Sequence, residues 1–206
     1  MKSILILCNG NPPSERLFRE HYNPADYLIA ADGGGNIALN MGIDPDVVIG
    51  DLDSFIPDPP HSFEVIRRGD QEANDLEKAL RLAREKGGER ITILGATGHR
   101  LDHTLKNLSV LKQFNKGFEQ IRMVDNFGET LLIPRSFRKV MGIGTQVSLF
   151  PLSGKVTGIT TSGLQYPLSQ ETLENGVRDG SSNRVVGRPV EITYDKGDLL
   201  LFVATR

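Results

Sequence analysis

Asp51 and Asp53 stand two residues apart in Gly50-Asp51-Leu52-Asp53-Ser54, directly after the β-branched run Val47-Val48-Ile49. Carboxylates that close repel one another, and a cation standing between them lets the pair keep its charge. Mg²⁺ meets that need, because it takes hard oxygen ligands and pairs one or two carboxylates with substrate phosphates. Asp32 repeats the pattern, closing the apolar segment Tyr27–Ala31 ahead of Gly33-Gly34-Gly35. Neighbouring parallel strands lie about 4.8 Å apart, so acids at the ends of adjacent strands converge on one ion. A fourth acid, Asp75, opens a helical stretch after Asp70-Gln71-Glu72-Ala73-Asn74. Plainer readings exist: an acidic surface turn for 51–54, and for Asp75 a first-turn acid favoured by the helix macrodipole. Four acids at element ends, three of them after strands, favour the metal.

Gly95-Ala96-Thr97-Gly98-His99-Arg100-Leu101-Asp102-His103 follows the apolar run Ile91–Leu94 and enters a helix. Glycines there let backbone amides approach an anion, and the helix start adds partial positive charge. Arg100 offers a planar fork suited to phosphate oxygens. The chain has no G-x-x-x-x-G-K-[ST] motif, and no G-x-G-x-x-G after a strand. A nucleotide is therefore expected to be held by metal, loop amides and arginine together. Asp102 and His103 read equally well as first-turn residues facing solvent.

These side chains need a scaffold, and the pattern supplies one. Short apolar runs at Ser3–Cys8, Tyr27–Ala31, Val47–Ile49, Phe63–Arg67, Ile91–Leu94 and Ile121–Val124 read as strands. Helical stretches at Ser14–Glu20, Asn36–Met41, Asn74–Lys86 and Leu101–Phe114 alternate with them. Asn74 with Glu77 forms a capping box, and Leu101, Leu105, Leu108 and Leu111 are expected to form the inward stripe of the last helix. Such alternation means α/β architecture, a mostly parallel sheet with flanking helices. After about residue 127 helical periodicity disappears. Thr130–Ile133, Gln146–Phe150, Val156–Thr161, Val190–Tyr194 and Leu199–Ala204 read as short strands, the last two joined in a hairpin by Asp195-Lys196-Gly197-Asp198. That spacing suggests a C-terminal antiparallel β-sandwich. The expected domains are 1–126 and 127–206.

The 206 residues are long enough to bury a real core, and a net charge of −2 gives no basic face for nucleic acid. The single cysteine, Cys8, forms no intrachain disulfide, and the expected compartment is the reducing cytoplasm. The first residues read as a strand, not a signal peptide, and no run has the ~18 apolar residues of a membrane span.

Taken together, Ala31-Asp32-Gly33-Gly34, Gly50-Asp51-Leu52-Asp53-Ser54, Asp70-Gln71 with Asn74-Asp75, and Arg100-Leu101-Asp102-His103 resemble, in order and spacing, the thiamine pyrophosphokinases. The second half agrees through Ser148-Leu149-Phe150-Pro151-Leu152, Ser162-Gly163-Leu164 with Tyr166-Pro167-Leu168, and Ser182-Asn183. The resemblance implies an N-terminal nucleotide-binding domain, a C-terminal β-sandwich that binds thiamine and dimerises, and a homodimer with active sites between subunits. The implied reaction moves pyrophosphate from ATP to the hydroxyethyl oxygen of thiamine, leaving AMP. Asp32, Asp51, Asp53 and Asp75 would surround Mg²⁺ and the phosphates, with Arg100 and Asp102 at the reacting groups. Gly33, Gly34, Thr97, Arg100 and His103 would bind ATP, and Gln71, Ser182 and Asn183 would bind thiamine. Three positions depart from the family pattern: His99 where a glycine commonly precedes the arginine, Asn74 for a more usual threonine, and charged Arg178-Asp179 in a stretch often uncharged.

Two rival functions share some of these features. A phosphohydrolase of the haloacid dehalogenase type also places Asp-x-Asp after an apolar strand, but it needs a later lysine and a further acid pair, for which Val124-Asp125-Asn126 is a poor substitute. A thiamine- or nucleotide-sensing module without turnover gains little from clustered acids.

Overall fold

The computed structural model describes residues 2–56 and 60–205. Backbone contacts divide the chain into two compact units that part between Asn126 and Phe127.

In the first unit β1 (Ser3–Leu7), α1 (Glu15–His21), β2 (Tyr27–Ala31), α2 (Gly34–Asn40), β3 (Val47–Gly50), β4 (Glu64–Arg67), α3 (Asp75–Glu85), β5 (Arg90–Leu94), α4 (Leu101–Phe114) and β6 (Gln120–Val124) follow in turn. The strands lie in the order β6-β5-β1-β2-β3-β4, every pairing parallel. All four residues of β3, and all but the first of β1 and β2, are buried, as strands covered on both faces require. Ala31 is in register with Ile49, so the chain leaves β2 and β3 side by side. Asn74 caps α3 by accepting a hydrogen bond from the Glu77 amide at 3.0 Å, and Leu76, Ala79, Leu80, Leu82 and Ala83 turn inward.

The face that α4 buries differs from the leucine stripe expected of it. Leu101 and Leu105 are 71% and 58% exposed, whereas Asn107, Val110, Leu111 and Phe114 face the interior. Both sets have helical spacing, so hydrophobicity alone favours the leucines. Leu111 is common to both faces and Leu108 is half-buried, so the buried face is rotated from the leucine stripe toward Asn107, whose amide donates to the Ala96 carbonyl at 2.8 Å.

The second unit holds β7 (Gly128–Leu132), β8 (Ser136–Lys139), β9 (Gln146–Pro151), β10 (Lys155–Ser162), β11 (Glu171–Glu174), β12 (Gly180–Arg184), β13 (Val190–Thr193) and β14 (Leu199–Ala204). They form two antiparallel arrays, β12-β9-β14-β7 and β11-β10-β13-β8. Val147, Leu149, Val156, Ile159, Leu173, Val190, Ile192, Leu199 and Leu201 fill the core of this unit. β13 and β14 are not a hairpin: β13 pairs with β8 and β10, and β14 with β7 and β9. The turn residues between them instead pair elsewhere, Asp195 N with Thr157 O and Leu152 N with Asp198 O, so the chain changes sheets there. β8, β11 and β12 escape the hydrophobic pattern because each carries at most one buried residue.

Candidate active site

A cleft of about 530 Å³ opens at the carboxyl ends of β1, β2, β3 and β5, where ligands bind in open parallel sheets. Asp32, Asp51, Asp53 and Asp75 all line it. Asp32 is 3% exposed and takes a left-handed backbone, φ +46°. Its amide donates to Ile49 O at 2.9 Å, and its carboxylate accepts from the Ser54 and Phe55 amides, each at 3.2 Å. The two amides belong to the turn after β3, so that turn is tied to the end of β2. Gly50 makes the approach possible: a Cβ there would lie 2.8 Å from the Asp32 Cβ and 3.2 Å from Asp75 Oδ1. Leu52, at φ +63°, folds the chain between Asp51 and Asp53.

Oxygens of Asp32, Asp51 and Asp75 lie within 4.8 Å of one another. Asp53 shares the cleft but stands outside that trio, its Oδ1 accepting the Ser54 hydroxyl at 2.8 Å. Burial, with the charge of Asp75 behind it, pushes the Asp32 carboxyl above its ordinary range, against the hydrogen bonds from Ser54 and Phe55. Lys78, 5% exposed, offsets part of this charge by donating to Asp75 Oδ1 at 3.0 Å. Cys8 forms part of the floor, but burial and the nearby Asp75 push its thiol up to about 12. It stays protonated and is a poor metal ligand. The donors that remain ionised are hard oxygens, and they fit Mg²⁺.

The opposite wall is the glycine loop. Gly95, at φ +66°, lies where a Cβ would meet the Cys8 carbonyl at 2.4 Å. Gly10 N donates to Gly95 O at 2.7 Å and Asn11 N to Thr97 O at 2.8 Å, so the segment after β1 holds this loop in place. His99 and Arg100 line the cleft, and His103 joins them from the first turn of α4. His99 has φ +53°, the conformation a glycine adopts without cost. Arg100 grips Asp102 with two hydrogen bonds, 3.1 and 2.6 Å, and both side chains are well exposed. The pairing holds the Asp102 carboxyl below its usual range, which makes it a weak proton acceptor in this arrangement.

Residues 18–124 match the family model for the thiamin pyrophosphokinase catalytic domain, and residues 131–199 match that for the thiamin pyrophosphokinase vitamin B1 binding domain. The chain belongs to the thiamine pyrophosphokinase family. The thiamine pyrophosphokinase of Bacillus subtilis is 27% identical over 213 residues, covering the whole of both chains. A thiamine pyrophosphokinase of Arabidopsis thaliana is 28% identical over 236 residues, 99% of this chain and 86% of the relative. The crystal structure of the Bacillus subtilis enzyme superposes with a TM-score of 0.86 at 26% identity, covering 99% of each chain.

Not every residue drawn from the family resemblance lies in the cleft. Gly33 and Gly34 are buried at the start of α2, and Thr97 directs its hydroxyl to Asp125 Oδ2 at 3.0 Å. Gln71 is exposed outside the cleft, its amide 3.5 Å from Gly69 O. In the second unit Ser182 is exposed at φ +59°. Neighbouring Asn183 is 6% exposed and uses its amide on the Tyr166 backbone, accepting at 3.1 Å and donating at 2.8 Å. Lys78 and Asn107 are additions that sequence reasoning missed. Their signals in the sequence are weak: Lys78 stands three residues after Asp75, and Asn107 is an amide within the apolar pattern of α4.

Proposed function

We propose that this chain transfers the pyrophosphoryl group of ATP to the hydroxyethyl oxygen of thiamine, giving thiamine diphosphate and AMP. The observation that carries the reading is the meeting of Asp32, Asp51 and Asp75 within 4.8 Å, opposite a glycine loop that ends in Arg100. Acids alone would repel a triphosphate. Mg²⁺, held by Asp32, Asp51 and Asp75 with Asp53 beside them, would supply neutralising charge when bound.

The chain's own part is positioning and electrostatics, which dominate such transfers. The amides of the Gly95–His99 loop face one side of the polyphosphate. Arg100 takes charge on the phosphate oxygens, and His103 lies one turn away on the same wall. The thiamine oxygen attacks the β-phosphorus in line and AMP leaves with the broken bond's electrons. As Arg100 engages phosphate it releases its hold on Asp102, which raises the basicity of that carboxylate as the alcohol must lose its proton. Gln71 of one subunit contacts thiamine, with Ser182 and Asn183 supplied across the subunit interface. Two copies associate through the C-terminal unit, with the sites shared between subunits. The protein works in the cytoplasm.

Incubation with thiamine, ATP and Mg²⁺, followed by identification of the nucleotide product, tests this. AMP formed one for one with thiamine diphosphate is expected. Phosphate release that does not require thiamine would favour a hydrolase, and tight binding without turnover a sensor.

A further inference from the structure

Two side-chain amides, half-buried Asn74 and buried Asn107, link the acid trio to the glycine loop. Asn74 Oδ1 accepts from Glu77 N at 3.0 Å, Asn74 Nδ2 donates to Asn107 Oδ1 at 2.8 Å, and Asn107 Nδ2 donates to Ala96 O at 2.8 Å. Both ends are backbone groups of fixed polarity, a donor at Glu77 and an acceptor at Ala96. The orientation of each side-chain amide between them is therefore determined. Asn107 is 8% exposed, lines the cleft, and sits on α4 beside Val110, Leu111 and Phe114. Asparagine is a poor helix former, and its amide is costly to bury unless bonded at both atoms. Leucine would serve the packing of α4 better. The amide is needed because two separate segments must be tied together.

Those segments carry the chemistry. Asn74 directly precedes Asp75, and Ala96 stands between Gly95 and the stretch leading to Arg100. We propose that Asn107 is a positioning residue for pyrophosphoryl transfer, fixing the separation between the carboxylate of Asp75 and the phosphate-facing loop. It acts through Asn74 and Ala96. The inference rests on the reading of the cleft given above.

Asn107→Ser, too short to span both partners, and Asn107→Leu, of similar size but without the amide, test it in the full chain. Mn²⁺ affinity is measured by titration without nucleotide, and steady-state kinetics are followed with MgATP and thiamine varied separately. Loss of an outer-shell orienting group predicts a fall of about ten- to a hundredfold in Mn²⁺ affinity and in kcat/KM for MgATP, with KM for thiamine unchanged. If Asn107→Leu fails to fold, Asn107→Ser decides. A folded Asn107→Ser with a lower melting temperature but unchanged Mn²⁺ affinity and MgATP kinetics would overturn the proposal. Absence of thiamine diphosphate from wild-type reactions would sink the functional reading instead, and the Mn²⁺ comparison would still decide the role of Asn107.

Discussion

Asp32, Leu52 and His99 are three of the five non-glycine residues with positive φ among the described residues; Asp32 and His99 line the acid cleft, and Leu52 lies between its Asp51 and Asp53. Strain of this kind persists where the surroundings over-determine the backbone, and it gathers at functional sites. At Asp51 the account makes an unusual pairing of effects. Asp51→Asn removes one of three mutually repelling carboxylates, so the metal-free protein should melt no lower than wild type. Turnover should nevertheless fall at least about a hundredfold, as expected for loss of a group that manages transition-state charge. Thermal melts and product assays on the same preparation check both halves. His99 gives a second test. His99→Gly should leave the melting temperature nearly unchanged, whereas His99→Val should cost about 1–2 kcal/mol, because a branched side chain resists the left-handed backbone. Cys8, with its thiol pushed up to about 12, should resist iodoacetamide at pH 8 until the protein is denatured, as followed by mass spectrometry.

Between elements, the packing of α3 on α4 rests on a buried acid. Glu77 is 4% exposed and receives Arg81 at 2.6 Å, Gln113 at 3.0 Å and Lys106 at 3.5 Å. Burial alone would raise its carboxyl, but the hydrogen bonds from Gln113 and Arg81, with the charges of Arg81 and Lys106, hold it below its ordinary 4.5. A depressed carboxyl contributes stability above its unfolded value and loses it as pH falls through the folded one. Denaturant titrations should therefore show stability declining as pH drops below 4.5, with a shallower decline in Glu77→Gln. The elements of the first unit were legible because β1, β2 and β3 are continuous apolar runs and α3 carries both a cap and an apolar face. The rotation of α4 toward Asn107 was not legible, since the partner of that amide lies 11 residues away in sequence. For the same reason the acids could be expected to converge while Lys78 went unnoticed: convergence follows from strand adjacency, but the lysine's value appears only once Asp75 is known to be crowded.

Across the whole chain, the two units owe their legibility to different signals. Parallel strands and helices mark the first unit through periodicity, whereas β8, β11 and β12 of the second are short and mostly exposed, so only pairing reveals them. The apparent hairpin at Asp195–Asp198 shows the same limit, because turn residues specify a bend and leave open which sheet receives the next strand. Matches to the catalytic and vitamin B1 binding family models in successive parts of the chain accord with a thiamine-directed reaction, and no helix among the described residues is long and apolar enough to cross a membrane. The account depends most on the carboxylates of β2, β3 and α3 serving as a cation site in the presence of nucleotide. Anomalous diffraction from crystals grown with Mn²⁺ and a non-hydrolysable ATP analogue measures that directly. The account predicts an anomalous peak bounded by Asp32, Asp51 and Asp75 and facing the phosphates; a phosphate chain bound in the cleft with no peak at those residues would contradict it.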